Sequence, residues 1–494
     1  MRGGDAKDLL IWQLRAELAQ RDAIIAQRDA TLAQRDATIQ LLQAEIELRD
    51  EKLRAALARI AQLQAQLHRH FKVPPNQPSA EELPPKKPPR RSRRKRGAQP
   101  GHPGHARPLL PPEQVSEEVT LVPAVCAHCG RPLVGTDEAP QLHQVVEVPP
   151  LSPHVTEYRR HQLVCKDCGL ATRAELPAGV PQSAFGPRHC SLVAILTGKY
   201  RLSKRMVEEL LCDFLGIKLS LGSVSRLEQT VSQAVAPPVS EAMETVKTAR
   251  VVYQDETSWR QQHKKAWLWV AVTAFVTVFV IAWHRSKKVC QTMLGATFEG
   301  TLVSDRWSAY LWVPDSRRQL CWSHLRRDFE ELVEMGGDGA RLAKALLVQS
   351  RRLFRSWHRI RDQTLSFPEF QKKMAPVRRE VHNLLVEGVR YYPGKAQTLC
   401  QQLLLHEEAL WHFTREPGVE LTNNCAERAQ RQAVLWRRSS FGTQSEPGSL
   451  FVARILTVIA TLRQQNRNVL EYVTAACQAQ LLGQPAPSLL PAHL

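Results

Sequence analysis

The sequence predicts a multidomain α/β protein, and three features of its 494 residues carry that reading. A chain of this length exceeds what one core accommodates, so two to four domains are expected. Its patterning changes from heptads, through a proline-rich basic stretch and paired cysteines, to short apolar runs that suit strands. Three of the later stretches each deliver one acidic residue: Asp255, Asp305 and Glu427.

Heptads open the chain. Ile11, Leu18, Ile25, Leu32, Ile39, Ile46, Leu53, Ile60 and Leu67 keep strict register, and no proline or glycine interrupts 5–73. A coiled-coil helix over 1–73 is expected, and with it a homo-oligomer. The second seam contains Arg21, Arg28, Arg35 and Arg49, too mixed to set the number of strands. A long helix packed on its own protein is the plainer alternative.

Pro74 and Pro75 end that helix, and a basic, proline-rich linker runs over 74–114. Its densest part, Arg93, Arg94, Lys95 and Arg96, cannot bury a core and suits a phosphate backbone or minor groove. A merely solvated linker is the alternative. Over 115–180 come Cys126-Ala-His-Cys129 and Cys165-Lys-Asp-Cys168, each followed by glycine. Two such knuckles supply four thiolates in a tetrahedron around structural Zn²⁺, a better reading than a redox pair. The intervening 141–164 alternates like a hairpin, so a zinc-ribbon-like module is expected. Residues 181–245 read as helices around a tight turn at Gly216, helix-turn-helix-like, with Ser223, Ser225, Arg226 and Gln229 placed to face a DNA groove.

The net charge of +19, from 67 Lys and Arg against 48 Asp and Glu, favours a polyanionic partner such as DNA. A membrane surface fits less well, because no lipidation motif or amphipathic basic helix accompanies the charge. Eleven cysteines, an odd number in a long chain, speak against a disulfide framework. With no signal peptide evident, a cytoplasmic, nucleoid-associated protein is expected. Residues 266–283 carry no charge and approach the length of a membrane span. Their Val, Thr, Trp and Phe favour instead two buried strands, 267–273 and 276–282, joined at Ala274 and Phe275. That turn lacks Gly, Asn and Pro.

The core is expected over 246–470, with a basic helical insertion at about 330–420 and a C-terminal tail over 471–494. A first strand ends at Asp255, the apolar hairpin supplies two more, a helix covers 289–294, and a fourth strand leads to Asp305. A further strand at 319–322 follows. Three strands, a helix and an acid-bearing strand match the order of a ribonuclease-H-like core, where the first and fourth strands adjoin. Glu427 follows Asp305 after 121 intervening residues, in a helix that Asn423 or Asn424 caps. Arg428, Arg431, Arg437 and Arg438 on that helix offer phosphate contacts. Carboxylates gathered this way suit two Mg²⁺ (or Mn²⁺) ions holding the oxygens of an in-line phosphodiester displacement. An ordinary solvent-facing charge is the plain reading of Glu427, and Glu256 and Asp315 are rival acids.

Several segments together resemble the insertion-sequence-66 family of DDE transposases. They are Gly97-Ala-Gln-Pro-Gly-His-Pro-Gly-His105, both cysteine knuckles, Asp255-Glu-Thr, Asp305-Arg-Trp-Ser-Ala-Tyr310, Cys321-Trp-Ser-His-Leu-Arg-Arg-Asp-Phe329 and Asn423-Asn-Cys-Ala-Glu427-Arg. Thr422 departs from the aspartate that many relatives carry. The resemblance implies a catalytic triad of Asp255, Asp305 and Glu427, a zinc-binding module, and terminal inverted repeats and target DNA as substrates, with accessory transposition proteins as further partners. The expected function is therefore DNA cleavage and strand transfer at element ends. Alternatives are a structure-specific nuclease without strand transfer, a DNA-binding regulator, and a catalytically decayed relative.

Overall fold

The computed structural model describes residues 108–491 and scattered positions between 12 and 43. The scattered positions are helical and exposed, Leu18, Leu32 and Ile39 among them. The heptad sites Ile11, Ile25, Ile46, Leu53, Ile60 and Leu67, and the basic residues Arg93, Arg94, Lys95 and Arg96, lie outside the described residues. The chain divides into two compact units, Met1–Thr136 and Asp137–Leu494.

The first unit contains the first cysteine knuckle. The Gly130 N–H donates to the Cys126 carbonyl at 2.9 Å, with Gly130 at φ +71°, a conformation glycine adopts without steric cost. In the second unit the same turn recurs: Gly169, at φ +72°, donates to the Cys165 carbonyl at 2.9 Å. Strands β1 (Gln162–Val164) and β2 (Ala171–Arg173) pair antiparallel around it. The hairpin expected within 141–164 is therefore misplaced. Residues 141–161 have no regular secondary structure, and Val145 and Val155 of the alternating run are exposed. Alternation there met no partner strand, and Pro149, Pro150 and Pro153 remove ladder donors.

Four helices follow: α1 (Pro187–Gly198), α2 (Lys204–Leu215), α3 (Leu221–Ala234) and α4 (Ala236–Lys247). Ser203 caps α2 through the Met206 N–H, and Gly216 ends it in the left-handed region at φ 65°. Ser220 caps α3 through the Ser223 N–H. The break at Gly216 is the signal from which the helix pair was read.

The central sheet contains β3 (Val251–Gln261), β4 (Lys264–Val272), β5 (Thr277–Ala282), β6 (Thr301–Ser304) and β7 (Arg318–Leu320), in the order β5-β4-β3-β6-β7. Helix α5 (Lys287–Leu294) connects β5 to β6. The first three strands are antiparallel neighbours, whereas β6 runs parallel to β3 and β7 parallel to β6. The first strand does not end at Asp255. It continues to Gln261 because β4 pairs with it residue by residue as far as Gln261↔Lys264.

The 266–283 segment forms the β4–β5 hairpin, and no helix among the described residues is long and apolar enough to cross a membrane. Thr273 supplies what the turn lacks in glycine: its Oγ1 accepts the N–H groups of Phe275 (3.2 Å) and Val276 (3.0 Å). Strand β5 lies at the sheet edge, where exposed backbone groups invite mispairing. A later helix covers it, with Thr461 and Thr457 hydroxyls accepting the N–H groups of Thr277 and Phe279.

Trp322 belongs not to the last strand but to α6 (Trp322–Met335), whose turn begins after Cys321. The insertion is helical as expected: α7 (Gly339–Arg361), α8 (Phe367–Tyr391), α9 (Lys395–Leu405) and the short α10 (Glu407–Leu410). It has its own apolar core, in which Trp357, Phe370, Trp411 and Phe413 meet Val303, Leu320 and Trp322 from the sheet side. Then come α11 (Asn424–Ser440), α12 (Glu446–Gln464), which is the helix along β5, and α13 (Val469–Leu481). The tail expected from residue 471 is thus largely a helix. Tyr472, Val473 and Ala476 of α13 share one core with Val193 of α1, Val224 of α3 and the outer strands. Lacking charge on that face, α13 finds cover where a free tail would not.

Candidate active site

Asp255 lies in mid-β3, opposite Val270 on the β4 side. On its other side the ladder pairs Val251, Val252 and Tyr253 with Thr301, Leu302 and Val303. The constant offset of 50 positions in that ladder carries Asp255 to Asp305, the residue that follows β6. The paired residues end at Tyr253 and Val303, so Asp255 and Asp305 each lie two positions past the last pair. Each is held by a backbone N–H: Asp255 Oδ1 accepts from Glu256, and Asp305 Oδ1 from Trp307, both at 2.9 Å.

Glu427 lies in the first turns of α11. The start of this helix is pinned by Asn423, but not by a cap, since the Asn423 side chain makes no capping bond. Its Nδ2 donates instead to the Gln254 carbonyl (2.8 Å), one residue before Asp255, and its backbone N–H donates to Cys321 Sγ (3.2 Å). Glu427 Oε1 accepts from Arg327 at 3.1 Å and lies 3.5 Å from His324 Nε2.

The electrostatics record how close these groups come. Burial pushes the Asp255 carboxyl well above the usual carboxylate range, and the charges of Glu256, Asp305 and Glu427 push it further. Burial also raises Asp305, opposed by the Trp307 N–H and by Arg285, Arg306 and Arg318. Burial, with Arg327 and Arg306 nearby, depresses His324 to about 4, so its imidazole is neutral near pH 7. Asp255 thus senses the charges of three neighbouring acids, a field that a hard divalent cation would relieve. Metal-ligating atoms of Cys321, His324 and Glu427 also lie within 4.8 Å of one another. Burial raises the Cys321 thiol to about 12, which disfavours it as a ligand.

The rival acids are engaged elsewhere. Glu256 is on the opposite face of β3, paired with Arg285 at 2.5 Å and hydrogen-bonded by the Tyr310 hydroxyl. Asp315 pairs with His406 Nδ1 (2.9 Å) and Arg318 (3.5 Å).

Arg428, Arg431 and Arg438 are exposed on α11. Arg437 departs from the expected phosphate role: it donates to Thr257 Oγ1 (3.2 Å), Ser258 Oγ (2.5 Å) and the Ser258 carbonyl, strapping α11 to β3. Arg226 and Gln229 are exposed on α3, while Ser225 Oγ is taken by Lys204 Nζ at 2.7 Å. His324, Arg327 and Arg285 escaped the sequence reading as site residues. The spacing of His324 and Arg327, three apart on one face of α6, is the signal that marks them.

Cys126 and Cys129 belong to the first unit, Cys165 and Cys168 to the second, and none of the four is in a disulfide. The Cys126 thiol is held below its ordinary value by N–H groups of Cys129 and His128, and Cys165 by those of Cys168 and Asp167. Turns that aim N–H groups at sulfur favour thiolates, the form in which cysteine binds metal.

A family model described as Transposase IS66 family matches residues 182–449, more than half of the chain. Over 398 residues the chain is 24% identical to the uncharacterized protein y4qI of Sinorhizobium fredii (strain NBRC 101917 / NGR234), covering 74% of this chain and 72% of that one. A second uncharacterized protein of that strain, y4hP, is 25% identical over 398 residues, covering 71% and 70% respectively. The family match spans both strand-borne acids, the helical insertion and the helix of Glu427, and on that extent the chain belongs to the IS66 transposase family.

Proposed function

We propose that the chain is a metal-dependent DNA transposase with a ribonuclease-H-like core, in which Asp255, Asp305 and Glu427 hold catalytic Mg²⁺ or Mn²⁺. One observation carries this reading: the β3–β6 register brings Asp255 to the level of Asp305, and Glu427 adds to the charge that Asp255 senses. When bound, such cations supply Lewis acidity to the attacking and leaving oxygens of an in-line displacement.

The chain's own residues set the geometry. The sheet fixes Asp255 and Asp305, and Asn423 fixes the helix that carries Glu427. Arg428, Arg431 and Arg438 offer phosphate contacts beside it. In the first step a water oxygen attacks phosphorus at the element end, and the departing oxygen leaves as a free 3′-hydroxyl. That hydroxyl then attacks a target phosphodiester, joining element to target and releasing a target 3′-hydroxyl. The α2–α3 pair and the basic linker would engage the ends, each cysteine knuckle would give two thiolates to structural zinc, and the heptad helix would join protomers.

The test is incubation of the purified chain with terminal-repeat DNA and Mg²⁺, with products resolved by length. Cleaved and joined DNA is expected, and neither from Asp255→Ala. Cleavage without joining would identify a nuclease, and metal-independent binding without cleavage a regulator. Full activity of Asp255→Ala would remove that residue from the mechanism.

A further inference from the structure

Two residues beyond Asp305 the fold presents an indole to solvent. Trp307 keeps 37% exposure, although four other tryptophans, Trp259, Trp269, Trp322 and Trp411, are fully buried. Its backbone is tied to the acid, because its N–H is the donor to Asp305 Oδ1. The Arg285 guanidinium stacks on the ring, with Cζ 3.9 Å from the centroid, and also lies 5.0 Å from the Trp267 ring. Arg285 is anchored in turn by Glu256, a buried carboxylate that also holds Tyr310 from the same loop. The exposed ring is thus backed by a cation that a buried acid anchors.

We propose that Trp307, backed by Arg285, is a stacking platform for an unpaired nucleobase beside the catalytic acids. The proposal rests on the reading of those acids as a DNA-processing centre. A base offers a flat π-face of any sequence, and an aromatic ring takes it without reading its edges. Charge favours the same occupant: Arg285, stacked on the ring, acts on Asp305, so a phosphate attached to that base meets a cation. A double-stranded end cannot offer a base face until its last pair opens. The platform therefore takes a frayed or extruded nucleotide, so that the adjoining phosphodiester is presented to the acids in a single-stranded turn.

The test uses the full chain without added Mg²⁺ or Mn²⁺, so that binding is read without cleavage and the zinc proposed at the knuckles is kept. One probe is a duplex with unpaired nucleotides at one 3′ end, one of them 2-aminopurine. The second has abasic sites at the same unpaired positions. The wild-type chain is expected to quench the 2-aminopurine and to bind the base-bearing probe more tightly. Trp307→Ala should bind that probe about tenfold more weakly and leave the abasic probe unaffected. Trp307→Phe should retain most of the difference. Equal losses on both probes, or bright 2-aminopurine with wild-type chain bound, would overturn the platform. If Trp307→Ala fails to fold, the wild-type quenching and its preference between probes decide the matter alone. A wild-type chain that binds neither probe overturns the proposed function itself.

Discussion

The side-chain amide of Asn423 donates to the backbone carbonyl of Gln254 at 2.8 Å, so the helix of the third acid is bonded to the strand of the first, one residue before Asp255. Asn423 is fully buried, and its own N–H meets Cys321 Sγ at the start of α6. Three segments distant in sequence therefore converge on one residue. Loss of a buried hydrogen bond that leaves a carbonyl unpaired costs about 1–3 kcal/mol.

Asn423→Ala is accordingly expected to lower stability to unfolding by about 1–3 kcal/mol. It should also slow cleavage while leaving DNA affinity near that of the wild type. Denaturant unfolding and a binding titration, run beside the cleavage assay, separate the two effects. Equal loss of binding and cleavage would assign Asn423 a general structural role instead.

The proton affinity of Asp255 gives a prediction about metal removal. Its native carboxyl binds protons more tightly than the unfolded one, first through burial and then through neighbouring acids. A group of this kind favours the fold below the unfolded carboxylate range, and that contribution is lost as pH rises from there towards the native value. The metal-free chain should therefore lose melting temperature as pH rises out of the acidic range. Mg²⁺ should restore it near neutrality, and Asp255→Asn should make the metal-free chain more stable and blunt the Mg²⁺ response. Thermal melts with and without Mg²⁺ across that pH span check all three.

At the β4–β5 turn, Thr273 Oγ1 receives two N–H groups, so Thr273→Val removes both hydrogen bonds while keeping shape. A loss of about 1–3 kcal/mol is expected. Hydrogen exchange at Phe275 and Val276 should accelerate in the variant; unchanged protection there would show that the turn holds without the hydroxyl.

How much of this the sequence revealed follows from the range of the interactions involved. Asp255 and Asp305 were legible because each closes or interrupts a short apolar run, a local pattern that parallel pairing then uses directly. The full length of β3 was not, because past Asp255 its residues are polar except Trp259 and only β4 makes them a strand. The turn at Ala274 and Phe275 looked breakerless because its breaker is a side-chain hydroxyl acting on the backbone. Val145 and Val155 misled for the converse reason: their alternation is real, but no strand lies beside it. Arg437 looked like a phosphate ligand in the sequence, and only the fold shows Ser258 and Thr257 within its reach.

The cysteine knuckles predict bound zinc. Elemental analysis of the purified chain should find zinc, and Cys126→Ser or Cys168→Ser should release it without abolishing the Mg²⁺ response of the catalytic core. Zinc content unchanged in both variants would remove the knuckles as its ligands.

The most direct test of the central claim is to locate Mn²⁺ crystallographically, by its anomalous scattering, in the chain bound to DNA. The account predicts two ions about 4 Å apart, held by Asp255, Asp305 and Glu427, with Glu427 released from Arg327. Manganese bound elsewhere, or Glu427 still on Arg327 with no ion beside Asp255 and Asp305, would contradict it.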